Sequence, residues 1–141
     1  MKASKNCTDI IKRFEGLYLK SYLCPAGKLT IGYGHTKGVK PYEEINELQA
    51  EIFLREDLQE VETALNRLEL PINQNQYDAL VSFAFNLGKL DQLTDFGTRT
   101  IDEIADAIPN YNKAGGVVVS GLVKRRRVER MVFLSPTSRN S

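Results

Sequence analysis

The chain has 141 residues, of which 42% are hydrophobic and 26% charged, and its formal net charge is +1. That length and composition fit one globular domain and argue against long disorder. A charge so near zero sets up no global field that would draw the chain to nucleic acid or to a membrane surface.

No apolar run approaches the roughly 20 residues of a membrane span. The N-terminus, "MKASKNCTDIIKRFEG", lacks the apolar segment of a secretory signal. The chain is therefore expected to be made in the cytoplasm and to depend on something else for release. Two cysteines, Cys7 and Cys24, are too few for a disulfide scaffold, and a single histidine offers no zinc cluster. Asn6-Cys7-Thr8 fits a glycosylation sequon, which without a signal is read as chance.

In chain order, Ser4 is placed to cap a helix running to about Glu15. Ile10, Ile11 and Phe14 form its apolar stripe, and Gly16 stops it. From Leu17 to Thr36 the period changes. Leu29, Ile31 and Tyr33 alternate with Thr30, Gly32 and Gly34, which is strand-like, and Pro25-Ala26-Gly27 makes the turn between two short strands. Hairpin pairing brings Cys24 and Thr30 close. Gly32 and Gly34 leave a bare face where another group can approach the backbone.

Pro41 to about Leu70 reads as one long helix. Its expected apolar face is Leu48, Ile52, Leu58, Val61, Leu65 and Leu68, and Pro71 ends it. Asn73 to Gly88 reads as a buried central helix capped by Asn73, with apolar residues nearly all round. A short amphipathic helix is expected from Thr100 to Ile108, a glycine-punctuated turn or extended piece from Asn112 to Gly121, and a last helix from Gly121 to Leu134. That last helix carries the basic run Lys124 to Arg127. Without aromatic interleaving the run is weak grounds for nucleic-acid binding. It is read as a solvated helix face. Asp95-Phe96-Gly97 matches a kinase triplet, but no kinase glycine loop or catalytic loop accompanies it.

Glu15, Cys24 and Thr30 suggest a chemistry. Cleaving a glycosidic bond needs a proton donor for the leaving oxygen, and on the opposite face a group that attacks or positions water. Glu15 fits the donor if burial keeps it protonated. Cys24 can act as a thiol or thiolate, and the Thr30 hydroxyl can both accept from and donate to a bound water.

Residues 16 to 23 are eight and residues 25 to 29 are five. This glutamate–eight–cysteine–five–threonine spacing resembles the signature of the phage-type lysozymes, or endolysins, of glycoside hydrolase family 24, which are T-even phage lysozyme-like. "TIGYGHT" (Thr30 to Thr36), "NQYDALVSFAFNLG" (Asn75 to Gly88) and "NKAGG...GLVKRRRVE" (Asn112 to Glu129) resemble that family as well. The resemblance implies an α+β, lysozyme-like fold. Residues 1–45 would be a small lobe with the hairpin, 46–70 a linking helix, and 71–141 a helical lobe across a cleft.

The same resemblance implies a muramidase. Its substrate would be peptidoglycan glycan strands, cut between N-acetylmuramic acid and N-acetylglucosamine for host cell lysis. Glu15 would be the general acid, with Cys24 and Thr30 in the nucleophile and water-positioning places. Cysteine stands where aspartate is commoner in the family. Tyr33, Gly34, His35 and Asn86 are candidate substrate contacts. His35 has a structural alternative, pairing with an acid or the backbone behind the cleft, and Asn86 has one as a backbone cap. Relatives usually have a longer stretch at Lys89 to Asn110, and Tyr111 stands where they often have tryptophan. No metal or cofactor, no nucleic acid and no membrane partner is expected, and the chain is expected to be a monomer. It would wait in the host cytoplasm until a phage holin opened the membrane, then act in the periplasm. A module that binds glycan without cutting it is the alternative. A Cys7–Cys24 disulfide would mask the thiol, but Cys7 lies roughly 12 Å along the helix from Glu15, which opposes pairing.

Overall fold

The helix read from Asn73 to Gly88 is the centre of the protein. In the computed structural model, which describes residues 1–137, it spans Gln74–Leu87 (α3), and every residue from Tyr77 to Ala84 is buried. A helix apolar nearly all round must be covered on all sides. Here α1 (Lys5–Glu15), α2 (Glu47–Arg67) and α6 (Ser120–Leu134) supply the cover. The start of α3 is a capping box. Asn73 Oδ1 accepts from the Gln76 amide and Gln76 Oε1 accepts from the Asn73 amide, each at 2.9 Å.

Ahead of α2, β1 (Tyr18–Leu23) and β2 (Leu29–Gly32) form the antiparallel hairpin. After α3 come α4 (Leu90–Thr94), α5 (Ile101–Ala107) and a 3-10 turn at Ile108–Asn110. A second small hairpin, β3 (Lys113–Ala114) and β4 (Val117–Val118), leads into α6. The α+β class is as expected. The sequence reading missed α4, which at five residues is too short to show a helical period.

Two expectations are corrected. Ser4 stands at the N-cap of α1 but its side chain does not cap it. The Ser4 hydroxyl bonds Asp78 Oδ2 instead, and its amide donates to Asp78 Oδ1 at 3.0 Å. Asp78 is buried on α3 and needs donors, which outweighs the local cap. The long helix starts at Glu47 rather than near Pro41. The amides of Ser21 and Ile45 bond the carbonyls of Glu43 and Leu19, each at 2.9 Å, so the segment before Asn46 pairs with β1 and cannot be helical. Asn46 and Gln49 then close a second capping box.

The expected face of α2 holds at Leu58 and Leu65, with Val61 and Leu68 half-buried against the core, but fails in the first turns. Ala50, Leu54, Leu58 and Leu65 are buried, whereas Leu48 is 69% and Ile52 50% exposed. The small residue Ala50 marks the true face, because β2 lies directly on it. A Cβ added at Gly32 would sit 3.4 Å from the Ala50 Cβ. This is one of the two approaches to bare backbone that the hairpin glycines permit.

The helix starts can be tested by unfolding in denaturant. Asn73→Ala, losing one cap bond, is expected to cost about 1 kcal/mol. Asp78→Ala is expected to cost more, about 2–3 kcal/mol, because the Ser4 amide, the Ser4 hydroxyl and the Gln74 side-chain amide all lose their acceptor. Equal costs would contradict the role given to Asp78.

Candidate active site

Glu15 is the last residue of α1. Gly16, at φ 74°, ends the helix and its amide bonds the Lys12 carbonyl at 2.9 Å. The chain then runs up β1 to Cys24 and reverses. The Cys24 amide donates to the Lys28 carbonyl at 2.9 Å, and the Gly27 amide to the Cys24 carbonyl at 2.8 Å. Thr30 returns on β2 opposite Tyr22 and is buried. Glu15, Tyr22, Cys24, Thr30, Gly34 and Asn86 all line one cavity of about 980 Å³. Ala114 and Gly115 of the second hairpin border the same cavity.

The Glu15 carboxylate is held on both sides. Arg125 Nη1 donates to Oε2 at 2.6 Å, and the Glu15 side chain is only 21% exposed. Oε1 lies over Gly34, where an added Cβ would sit 2.7 Å from it. Gly34 is therefore bare because the acid occupies the space of its side chain. Its φ of 77° excludes most other residues as well. The Arg125 guanidinium also stands over the Phe14 ring, 5.7 Å from its centre.

The Cys24 thiol is pulled below its ordinary range. The Lys28 backbone is the largest cause, joined by the backbone of Ala26 and Gly27 and by the Thr30 hydroxyl, against a partial loss of solvent. The Thr30 hydroxyl also reaches the Lys28 carbonyl at 3.0 Å. Its single proton serves either that carbonyl or the Cys24 sulfur. Cys7 and Cys24 are both free, and Cys7 is buried in the core, where burial pushes its thiol up.

Two expected contacts fall outside the cavity lining. Ile31 and His35 exchange backbone hydrogen bonds at 2.9 Å in both directions. That tight reversal leaves Thr30 and Gly34 on the cleft and turns Tyr33 and His35 away from it. Tyr33 is buried with Lys12 Nζ 5.2 Å from its ring centre. His35 Nδ1 lies 2.8 Å from Asp57 Oδ2, and its ring stacks on Phe53 at 4.2 Å. The structural alternative for His35, an acid behind the cleft, describes its place. Asn86 does face the cavity, and its Oδ1 accepts from Arg126 Nη2 at 2.6 Å.

The basic run is split by the helix. Lys124 and Arg127 are exposed, whereas Arg125 is 3% and Arg126 1% exposed. Reading the run as a solvated face is thus wrong for its middle two residues. Sequence reasoning missed Ser82 and Glu129, which bind the arginines. The one available signal was spacing, since Glu129 lies three and four residues beyond them on the same face.

A family model described as phage lysozyme matches residues 12–129. The chain belongs to the phage lysozyme family. It is 39% identical to the endolysin of Acyrthosiphon pisum secondary endosymbiont phage 1, over 96% of this chain and 99% of that protein. It is 42% identical to the endolysin of Bacillus phage PZA, over 99% of this chain but 58% of that longer protein. Among solved structures, the muramidase domain of SpmX from Asticaccaulis excentricus superposes with a TM-score of 0.84 at 36% identity. That match covers 96% of this chain and 99% of the domain. Phage lysozymes act on bacterial cell walls as glycoside hydrolases, and this family's fold is the one described above.

Gly34 offers a clean test of the acid's seat. Gly34→Ala is expected to lower cell-wall hydrolysis about 100-fold by displacing Glu15. Gly38→Ala shares the positive φ but meets nothing within 4 Å. It is expected to cost a similar 1–2 kcal/mol, roughly, in stability and to leave hydrolysis near wild type. Equal activity of the two variants would contradict the packing of Glu15 on Gly34.

Proposed function

We infer that the chain is an endolysin that hydrolyses the β-1,4 bond between N-acetylmuramic acid and N-acetylglucosamine in peptidoglycan. The observation that carries the reading is the meeting of Glu15, Cys24 and Thr30 on one cavity in a chain of this family. The names of the relatives, endolysin and muramidase, supply the substrate class.

Glu15 is the proton donor. An arginine only donates, so the contact with Arg125 leaves Oε1 as the oxygen that carries the proton. That proton passes to the glycosidic oxygen as its bond to the anomeric carbon breaks. Cys24 and Thr30 serve the opposite face of the sugar. Either a water that they orient gives its proton to the Cys24 thiolate and forms the new bond to the anomeric carbon, or the thiolate itself forms that bond and a second water, giving its proton to Glu15, then displaces the sulfur. Backbone amides at the hairpin turn favour the thiolate, which suits either role. Asn86 contributes an amide to the cleft wall.

The hairpin side and the helical side of the cavity act as two lobes linked by α2. The enzyme works as a monomer. It accumulates in the host cytoplasm, and a phage holin admits it to the periplasm and the cell wall.

The test is clearing of purified Gram-negative peptidoglycan and release of reducing ends. Glu15→Gln is expected to lower the rate about 10³-fold. Cys24→Ser separates the two roles of the thiol, since only direct attack is abolished by it. Cys24→Asp is expected to keep activity and extend the acid limb of the pH profile downward. The thiol's lowered position opens activity from the acid side as pH rises, and a carboxylate ionises about four units below an ordinary thiol. An acid limb that stays in place in Cys24→Asp would remove Cys24 from the titrating step. Glycan binding by the wild type with no cleavage at any pH would contradict the reading as a whole.

A further inference from the structure

Glu129 is fully buried on α6, yet it touches no part of the cleft. Its Oε2 accepts the Ser82 hydroxyl at 2.6 Å and Arg125 Nε at 3.2 Å. Its Oε1 forms an ion pair with Arg126, 3.0 Å from Nε, without the geometry of a hydrogen bond. From this point the two guanidiniums diverge. Arg125 Nη1 goes to Glu15 and Arg126 Nη2 to Asn86, each at 2.6 Å. Arg125 Nη2 is tied to the Ser82 carbonyl at 3.1 Å, so all three nitrogens of Arg125 are engaged.

Burying a carboxylate is costly, and a well-packed apolar residue often serves stability as well or better. An apolar residue does not hold two neighbouring buried guanidiniums side by side. Arginine stems are flexible, and a bond at Nε fixes the plane of the fork and so the aim of its outer nitrogens. We propose that Glu129 is a positioning residue for the cleft: by its hydrogen bond to Arg125 Nε and its ion pair with Arg126, it fixes the acid Glu15 and the cleft amide Asn86 together. This inference rests on the reading of Glu15 as the proton donor.

The charges around the pair are matched. Glu129 faces Arg125 and Arg126 on its own helix, Ser82 on α3 and Cys7 on α1. Glu15 faces Arg125 closely, with Arg126 and Tyr22 further off. Replacing Glu129 by an amide frees Arg125 Nε from its charged partner and so loosens the aim of Nη1 at Glu15.

The experiment measures kcat and KM of the full chain on soluble peptidoglycan glycan strands, with thermal melting in parallel. Glu129→Gln is expected to melt cooperatively and to lower kcat about tenfold more than it changes KM. Glu129→Asp, which keeps the charge, is expected to recover part of the lost kcat. A cooperatively melting Glu129→Gln with wild-type kcat overturns the inference. Should Glu129→Gln not fold, Ser82→Ala keeps all four charges and removes one bond to Glu129. It is then expected to lower kcat about threefold with KM little changed, and an unchanged kcat overturns the inference. A wild type that does not cleave, or a fully active Glu15→Gln, defeats the reading of Glu15 instead. Cleaving wild type, inactive Glu15→Gln and wild-type-like Glu129→Gln together defeat only the role of Glu129.

Discussion

Arg125 reaches Glu15 across the junction of α6 and α1, and the cleft is arranged around that pair. The two residues are 110 positions apart, so the bond ties the last helix to the first. Burying a guanidinium costs free energy unless each donor finds an acceptor. Ser82 from α3 and Glu129 from α6 meet that need. Three helices therefore converge on one guanidinium, and the carboxylate at the end of α1 is held where α1 stops. The arrangement accounts for the depth at which charged residues sit in α6. Its inner face replaces apolar packing with a buried network of charges in which Arg125 is fully bonded, while Arg126 bonds only Asn86 and otherwise pairs with Glu129 by charge.

The second constraint is backbone proximity at the hairpin. Gly32 lets β2 lie on Ala50 of α2, and Gly34 makes room for the Glu15 carboxylate. One short segment thereby sets the position of the acid relative to Cys24 and Thr30. The same reversal, closed by the Ile31–His35 backbone pair, sends every second side chain to the other side. His35 and Tyr33 then serve the contacts behind the hairpin with α2 and α1, and Thr30 serves the cleft. Mutations at these glycines are expected to act through geometry before they act through stability.

Much of this was legible from residues alone. Both glycines signalled a close approach to the backbone, and the spacing of Glu15, Cys24 and Thr30 located one wall of the cavity. Asn73 announced the start of α3, because an N-cap is a local device. The start of α2 was not legible, since the amides of Ser21 and Ile45 choose partners across a hairpin rather than along the chain. The face of α2 was misread for a related reason. Periodicity counts large apolar residues, and the position pressed against β2 is filled by the small Ala50. Glu129 was invisible because a glutamate three and four residues from arginines looks the same on a solvated surface as in a buried network. Burial, which separates the two cases, belongs to the packing of α6 on α3.

The most direct test of this account is a double-mutant cycle between Glu15 and Arg125, read as unfolding free energy in urea with Glu15→Gln and Arg125→Met. A buried pair that organises the cleft predicts a favourable coupling of about 2 kcal/mol. Additive effects, with coupling near zero, would show that the two side chains stand beside each other without holding each other, and would contradict the account.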